Sequence, residues 1–313
     1  MARLSRPRKG SLQYWPRSRA RKFLPRVNWK TISVKDKNNL LGFITYKAAM
    51  ATALVKDLTD KSMTQNKLIH IPVTILEVPS MKLLSIRFYN HGVVVKDIIV
   101  SSDKELKKKL KLPKSPQKIE APISYEDVRA VVYSLANSTA IKKTPDISEV
   151  AISADNKFEF LKSLIGKEIT IKDFANSPLV DTRGLTTGYG FTGAVRRFGI
   201  TLKQHKSEKG RRRPGSLAPW HPARVTFRTP MAGQYGFFTR ITNNLKLIHS
   251  GTIAEKDINR EQGFKNYGKI KTSYILLGGS VQGPVKRQIL ITPSFRPTKK
   301  QIRKKYEFQG ILA

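Results

Sequence analysis

Ile69-His-Ile-Pro-Val-Thr-Ile-Leu-Glu-Val78 and, after a short break, Lys82-Leu-Leu-Ser-Ile-Arg-Phe88 decide the fold class. Both stretches are short, dense in β-branched residues and bounded by turn formers, the composition of strands. Leu41-Gly-Phe-Ile-Thr-Tyr46 and Thr52-Ala-Leu-Val-Lys56 upstream read the same way, and Val93-Val-Val-Lys-Asp-Ile-Ile-Val100 continues the series downstream. Strand character returns at Glu168-Ile-Thr-Ile-Lys172 and Leu179-Val-Asp-Thr182, and again at 245–253, 273–277 and 285–291. Short strands at close spacing predict an antiparallel barrel or sandwich.

The middle of the chain breaks this pattern. Ser124-Tyr-Glu-Asp127 has the form of a capping box, and Val128, Val131, Val132 and Leu135 follow at helical spacing. Phe158, Leu161, Leu164 and Ile165 predict a second helix closed by Gly166, and 103–112 a short third. Residues 101–166 therefore read as a helical insertion on a mainly β body. No period of 20–50 residues marks a repeat array.

Charge narrows the function. Lys and Arg number 59 against 22 Asp and Glu, a formal net of +37 on 313 residues. An excess of one sign opposes compaction and favours a polyanionic partner. Its distribution is uneven. The first thirty residues carry ten Lys/Arg and no acid. Between Asp181 and Glu255 there are thirteen Lys/Arg and a single acid, Glu208. A third basic run closes the chain, from Lys286 to Lys305. One such run is usually a solvated face; three nearly free of acid point to nucleic acid.

The chain has no cysteine, which excludes disulfides and thiolate metal sites. No apolar run approaches the ~20 residues of a membrane span, and the first residues lack the apolar stretch of a secretory signal. The basic stretches are broken by Gly and Pro instead of forming amphipathic helices, so they read as extended arms and not as membrane-surface elements. With few apolar groups to offset ordering entropy, these arms are expected to be disordered before RNA is present.

Residues 1–30 form such an arm, kinked at Pro7, Pro16 and Pro25, with Tyr14, Trp15, Phe23 and Trp29 interleaved among arginines. Two readings stand for these aromatics: stacking on bases, or anchoring the arm to its own body. Residues 183–244 are rich in glycine and nearly free of acid, and cannot bury a core; they read as a long loop. Within it, Thr187-Gly-Tyr-Gly-Phe-Thr-Gly193 precedes Arg196 and Arg197, and closely spaced glycines let backbone approach a phosphodiester chain. Arg211-Arg-Arg-Pro-Gly-Ser-Leu-Ala-Pro-Trp-His-Pro222 places three arginines before a stiffened aromatic tip. Trp220 either enters RNA or folds back onto the protein.

Catalytic patterns are missing. Gly263-Phe-Lys-Asn-Tyr-Gly268-Lys269 has phosphate-loop spacing, but Ile270 stands where the Mg²⁺-binding hydroxyl belongs, so a glycine-rich turn is the better account. His70, His91, His205, His221 and His249 include no metal-pair spacing. The sequence points to no metal, cofactor, membrane or small-molecule substrate.

Several motifs occur together, in order. Ser5-Arg-Pro-Arg-Lys-Gly-Ser-Leu12 and Trp15-Pro-Arg-Ser-Arg19 open the chain; Gly42-Phe-Ile-Thr-Tyr-Lys-Ala-Ala-Met50 and Ile71-Pro-Val-Thr-Ile-Leu-Glu-Val78 follow. Thr187 to Phe198, Gly215-Ser-Leu-Ala-Pro-Trp-His-Pro222 and Gly278-Gly-Ser-Val-Gln-Gly-Pro-Val-Lys-Arg287 complete the set. With these the chain resembles the archaeal-type universal L three (uL three) family of large ribosomal subunit proteins. It departs from the family at Tyr189, where lysine is commoner, and 101–166 carries no motif of the family.

The resemblance implies a six-stranded, translation-factor-type β-barrel with long basic extensions. Its expected division is a basic N-terminal extension (1–38), a first barrel part (39–100), the helical insertion (101–166), the remaining barrel (167–195 and 245–297), a basic finger loop (196–244) and a C-terminal tail (298–313). It implies direct binding to large-subunit (23S-type) rRNA near its 3′ end, an early assembly role, other large-subunit proteins as neighbours, and a loop tip directed toward the peptidyl transferase centre. The rRNA-binding residues would be Arg6, Arg8, Lys9, Trp15, Arg17, Arg19 and Arg21 in the arm. Gly188, Gly190, Gly193, Arg196, Arg197, Lys203, His205, Arg211, Arg212, Arg213, Trp220, His221 and Arg224 would serve in the loop, and Lys286 and Arg287 near the C-terminus. A free-standing nucleic-acid-compacting protein would need no glycine-rich loop ending in Trp-His-Pro, and an RNA-modifying enzyme should show a cofactor loop or paired acids.

Overall fold

The structure, a computed structural model, describes residues 9–32, 38–113, 118–139, 141–174, 177–206 and 210–312. In chain order the strands are β1 (Asn39–Leu40), β2 (Phe43–Asp57), β3 (Leu68–Val78), β4 (Met81–Asn90), β5 (Val93–Ile99), β6 (Asp127–Ser134), β7 (Ile147–Val150) and β8 (Ile152–Ser153). There follow β9 (Leu179–Leu185), β10 (Gly190–Thr192), β11 (Gly233–Tyr235), β12 (Thr239–Thr252), β13 (Ser273–Gly278), β14 (Gln288–Pro293) and β15 (Tyr306–Leu312). Three short α-helices accompany them: α1 (Lys157–Ser163), α2 (Ala194–Phe198) and α3 (Lys299–Arg303). The protein is mainly β.

The chain divides into two compact units: residues 1–22 with 185–239, and residues 23–184 with 240–313. The larger unit contains a seven-stranded sheet in the order β14-β9-β12-β13-β3-β2-β15, in which β14 also pairs with β2. A four-stranded sheet, β5-β4-β6-β7, and a two-stranded one, β1-β8, belong to it as well. The period-2 alternation explains why these strands form. Leu76 and Val78 of β3 and Ile275 and Leu277 of β13 enter one core cluster, whereas Val73, Ile75, Tyr274 and Leu276 enter another. Both faces are thus covered, as expected for runs this apolar.

The first cluster joins the two sheets: Phe43, Ile44 and Tyr46 of β2 lie with Met81, Ile86 and Phe88 of β4 and Ile289 and Ile291 of β14. Trp29 belongs to the same cluster and is buried. Gly42 makes room for it, because a Cβ there would lie 2.8 Å from the Trp29 ring. For Trp29 the anchoring reading holds: the aromatic fastens the chain to its own body.

The helical insertion expected at 101–166 needs correction. Residues 127–134 form strand β6, not a helix, and β7 and β8 follow it. β6 lies between β4 and β7, so both its ladders are filled. The expected capping box does not form; the Asp127 carboxylate instead accepts from Arg129 (3.1 Å) and Lys157 (2.5 Å). The helix expected around Leu161 is present as α1, with Gly166 at a left-handed φ of 76° beyond it. The segment expected at 103–112 is a 3-10 turn, Lys104–Lys108. The strand expected at 168–172 is reduced to an isolated bridge between Ile169 and Met81. Asp173 turns the chain there, its carboxylate accepting from the Thr170 amide at 2.7 Å. The two strands expected before residue 57 are one, β2, with a register shift between Lys47 and Ala49.

Candidate nucleic-acid interface

The smaller unit is where charge is least balanced. Its two segments carry eight and ten Lys/Arg and share one acid, Glu208. Such a body folds only if apolar and backbone contacts offset the self-repulsion. Those contacts are specific. The Ala20 amide donates to the Phe237 carbonyl at 3.0 Å, the Arg17 guanidinium covers the Phe198 ring at 4.2 Å, and the Trp15 and Phe227 rings lie 5.1 Å apart. Residues 10–22 therefore fold together with the described residues of 185–239, and Arg17 and Trp15 have internal contacts there.

The glycine cluster builds its centre. β10 and β11 pair antiparallel, Gly190 opposite Tyr235 and Thr192 opposite Gly233. Gly190 is at a left-handed φ of 65°, and no atom lies within 4 Å of where a Cβ on Gly190 or Gly193 would stand. The backbone is bare at both positions, as close approach to a polymer requires. Gly188 instead abuts Phe237, 3.5 Å from its missing Cβ. α2 follows Gly193. Arg196 is exposed, its guanidinium 4.1 Å from the centre of the Tyr189 ring, which stacks on Tyr235 at 5.1 Å and 22°. Arg197 turns inward, donating from Nε to the Gln234 carbonyl (3.0 Å) and from Nη1 to the Met231 carbonyl (2.8 Å), and burial lowers its pKa. The two neighbouring arginines thus divide, one facing out and one bracing the loop.

Beyond α2 most of the described loop residues are exposed. The Lys203 amide donates to the Arg211 carbonyl (3.0 Å) and Arg211 Nε donates to the Lys203 carbonyl (3.2 Å), a clasp that holds the two limbs together. His205, Arg211, Arg212, Arg213, His221 and Arg224 are all exposed. Trp220 is 88% exposed, so it does not fold back onto the protein. In the arm, Lys9, Arg19 and Arg21 are exposed, with Arg19 5.7 Å from the centre of the Phe237 ring. Arg6 and Arg8 lie outside the described residues.

Lys286 and Arg287 belong to the larger unit. Lys286 is exposed at a φ of 68°, and the Arg287 guanidinium lies 5.5 Å from the centre of the Phe23 ring. Lys47, which the sequence reading passed over, fixes this turn: its buried Nζ donates to the carbonyls of Val281 (2.6 Å) and Gly283 (3.0 Å). Burial lowers the Lys47 pKa. Also missed were Tyr235 and Phe227, which hold Tyr189 and Trp15 in place, and Phe191, which is 81% exposed on β10. The alternation of glycine with aromatics in Gly-Tyr-Gly-Phe was the available signal.

The larger unit treats its charges differently. On the four-stranded sheet Arg87 pairs with Asp97 (2.6 Å) and Glu149 (3.2 Å), and Arg129 with Glu149 (2.8 Å) and Asp127 (3.1 Å). Burial pushes the Asp127 pKa up, but Lys157 and Arg129 outweigh it and hold the carboxyl below its ordinary value. Acids neutralise cations here; in the smaller unit almost none are present to do so. Gly263 to Gly268 is a tight turn, the Phe264 amide donating to the Gly268 carbonyl at 2.9 Å. Among the described residues no cluster of three His, Asp or Glu fits a metal ion, and no helix is long and apolar enough to cross a membrane.

The family model described as ribosomal protein L3 matches residues 1–111 and 100–308. The large ribosomal subunit protein uL3 of Methanococcoides burtonii is 35% identical, covering 96% of this chain and 95% of its own length. That of Methanocaldococcus jannaschii is 35% identical over 96% and 94%, and that of Methanocella arvoryzae 37% over 93% and 92%.

Proposed function

The chain belongs to the ribosomal protein L3 family, and on that premise we propose that it is a structural constituent of the large ribosomal subunit that binds 23S-type rRNA directly. It is not an enzyme, and its place is the cytoplasmic ribosome. One observation carries the reading: a unit whose two segments of sequence hold eighteen Lys/Arg and one acid, and whose exposed residues include Arg211, Arg212, Arg213 and Trp220. Phosphate around such a body relieves its self-repulsion.

The division of labour follows from the geometry. Arg197, Arg17 and the Lys203–Arg211 clasp set the shape of the loop. The outward cations engage phosphates, and each contact releases condensed counterions. The bare backbone at Gly190 and Gly193 admits a sugar–phosphate chain where a side chain would hold it off. Trp220 stacks on an unpaired base. Recognition is therefore mostly of shape and backbone.

The strands β2, β3, β13, β12, β9 and β14 are the six of a translation-factor-type barrel; the added β14–β2 pairing supports its closure. The barrel serves as platform, and contacts lie near the 3′ end of the rRNA, made early in assembly. The loop tip is directed toward the peptidyl transferase centre, and other large-subunit proteins are neighbours. Co-sedimentation with large subunits at moderate salt, with crosslinking from residue 220, tests this. Retention in the subunit and crosslinks to rRNA are expected; a chain that washes off, or crosslinks only to protein, contradicts it.

A further inference from the structure

The hairpin of β10 and β11 carries two side chains that the shape of the loop does not use. Phe191, in the middle of β10, is 81% exposed. Among the described residues no other ring and no guanidinium covers it. A bare phenyl group is costly in water. The strand beneath it is fixed. Phe191 lies opposite Gln234, whose carbonyl accepts from Arg197 Nε and whose Nε2 donates to the Gly236 carbonyl, both at 3.0 Å. The ring is thus presented on a braced platform.

Arg196 is the second. Its guanidinium lies over the Tyr189 ring at 4.1 Å, and that ring stacks on Tyr235. The Tyr189 amide donates to the Tyr235 carbonyl at 2.9 Å, so the column has a backbone anchor. Among the described residues Arg196 makes no hydrogen bond and no ion pair. A guanidinium already held over a ring loses little further freedom on binding, and its N–H donors remain for a ligand.

Charge and chemistry select that ligand. Residues 185–206 and 231–239 carry four Lys/Arg and no acid, so no carboxylate of the hairpin satisfies Arg196. An apolar protein surface laid on Phe191 would desolvate this cation without pairing it, which is costly. A nucleotide meets both needs, with a π-face for the phenyl ring and phosphate for the guanidinium fork. Only Thr192 to Val195 separate the two residues in the chain. Gly190, with no atom within 4 Å of its missing Cβ, leaves the backbone beside Phe191 open to the sugar. A base paired and stacked within a helix hides its face, so the nucleotide is an unpaired one.

We propose that this hairpin seats an unpaired rRNA nucleotide, its base stacked on Phe191 and a phosphate of the same strand gripped by Arg196, which Tyr189 and Tyr235 hold in position. The seat is additional to Trp220, and it rests on the ribosomal reading above. A photo-crosslinker is placed at position 191 of the full chain within purified large subunits, and affinity for purified large-subunit rRNA is measured against salt. The crosslink should map to one nucleotide without a Watson–Crick partner in the folded rRNA. Phe191→Ala should lower affinity about 5- to 150-fold, the range of one lost stack, without changing the salt slope. Arg196→Ala should flatten that slope by about 0.7–0.9. Both residues are exposed, so the circular dichroism and Tm of the free chain should stay unchanged. Tyr189→Leu should weaken binding while Arg196 is present and have no further effect on Arg196→Ala. A full chain that neither enters the subunit nor binds rRNA overturns the ribosomal reading and the seat with it. Where the chain binds normally, four results overturn the seat alone: a crosslink from 191 to protein or to a paired nucleotide, full affinity or a flattened slope in Phe191→Ala, an unchanged slope in Arg196→Ala, or a further loss when Tyr189→Leu is added to Arg196→Ala.

Discussion

Arg197 Nε donates to the backbone carbonyl of Gln234 at 3.0 Å, while the adjacent Arg196 faces outward over Tyr189. The pair separates folding from binding within one turn of helix. Arg197→Ala removes two charge-assisted bonds to carbonyls, each worth about 1–2 kcal/mol, and should speed amide exchange and proteolysis around 231–235. Arg212→Ala, at an exposed position, should leave both unchanged and weaken rRNA binding alone. Local exchange rates measured beside affinity distinguish the two.

Glu77 carries a structural load of the larger unit. Buried on β3, it accepts from the Tyr267 hydroxyl, from the Lys271 and Thr272 amides (2.9 and 3.1 Å) and from the Thr272 hydroxyl (3.0 Å). Burial, and then the Glu77 charge, push the Tyr267 pKa up, so the phenol stays a donor. Glu77→Ala strands these donors and should cost about 3 kcal/mol or more. Thermal unfolding should show a large fall in Tm, with Glu77→Gln milder.

Acid should loosen the start of the loop after β2. Burial raises the Asp57 pKa, but bonds from Thr59, Thr64 and Ser62 outweigh it and bring it to about 2. A folded-state value below the unfolded one means the stabilisation is complete above about pH 5 and is lost as pH falls toward 2. Asp57→Asn should flatten that part of the stability–pH curve, as followed by denaturant unfolding.

Trp220 should be dispensable for folding. At 88% exposure its removal leaves no cavity, so Trp220→Ala should keep the Tm of the free chain. Loss of one stacked base should still weaken rRNA binding by about 1–3 kcal/mol. A fall in Tm with unchanged affinity would reverse the assignment.

Much of this architecture is legible in the chain, and the failures have a common cause. β3, β4 and β13 announce themselves because β-branched residues are bounded by turn formers. β6 does not. Val128, Ala130 and Val132 enter one core cluster, while Val131 and Tyr133 enter another, so both faces are buried and no alternation is visible. A continuous apolar run fits helical spacing as well as strand spacing, and the neighbours β4 and β7 decide between them. The basic arm and loop are plain from composition. Which arginines face inward is not: Arg196 and Arg197 are identical to a sequence reading, and only the position of β11 assigns one of them to carbonyls. Lys47 was hidden for the same reason, since its partners Val281 and Gly283 are backbone oxygens far along the chain.

The salt dependence of rRNA binding tests the central claim most directly. Affinity is measured against salt concentration for the unaltered chain and for the triple substitution Arg211→Ala, Arg212→Ala and Arg213→Ala. If all three meet phosphate, the slope of log affinity against log salt should flatten by about 0.7–0.9 per contact, roughly 2–3 in total. An unchanged slope would contradict the account.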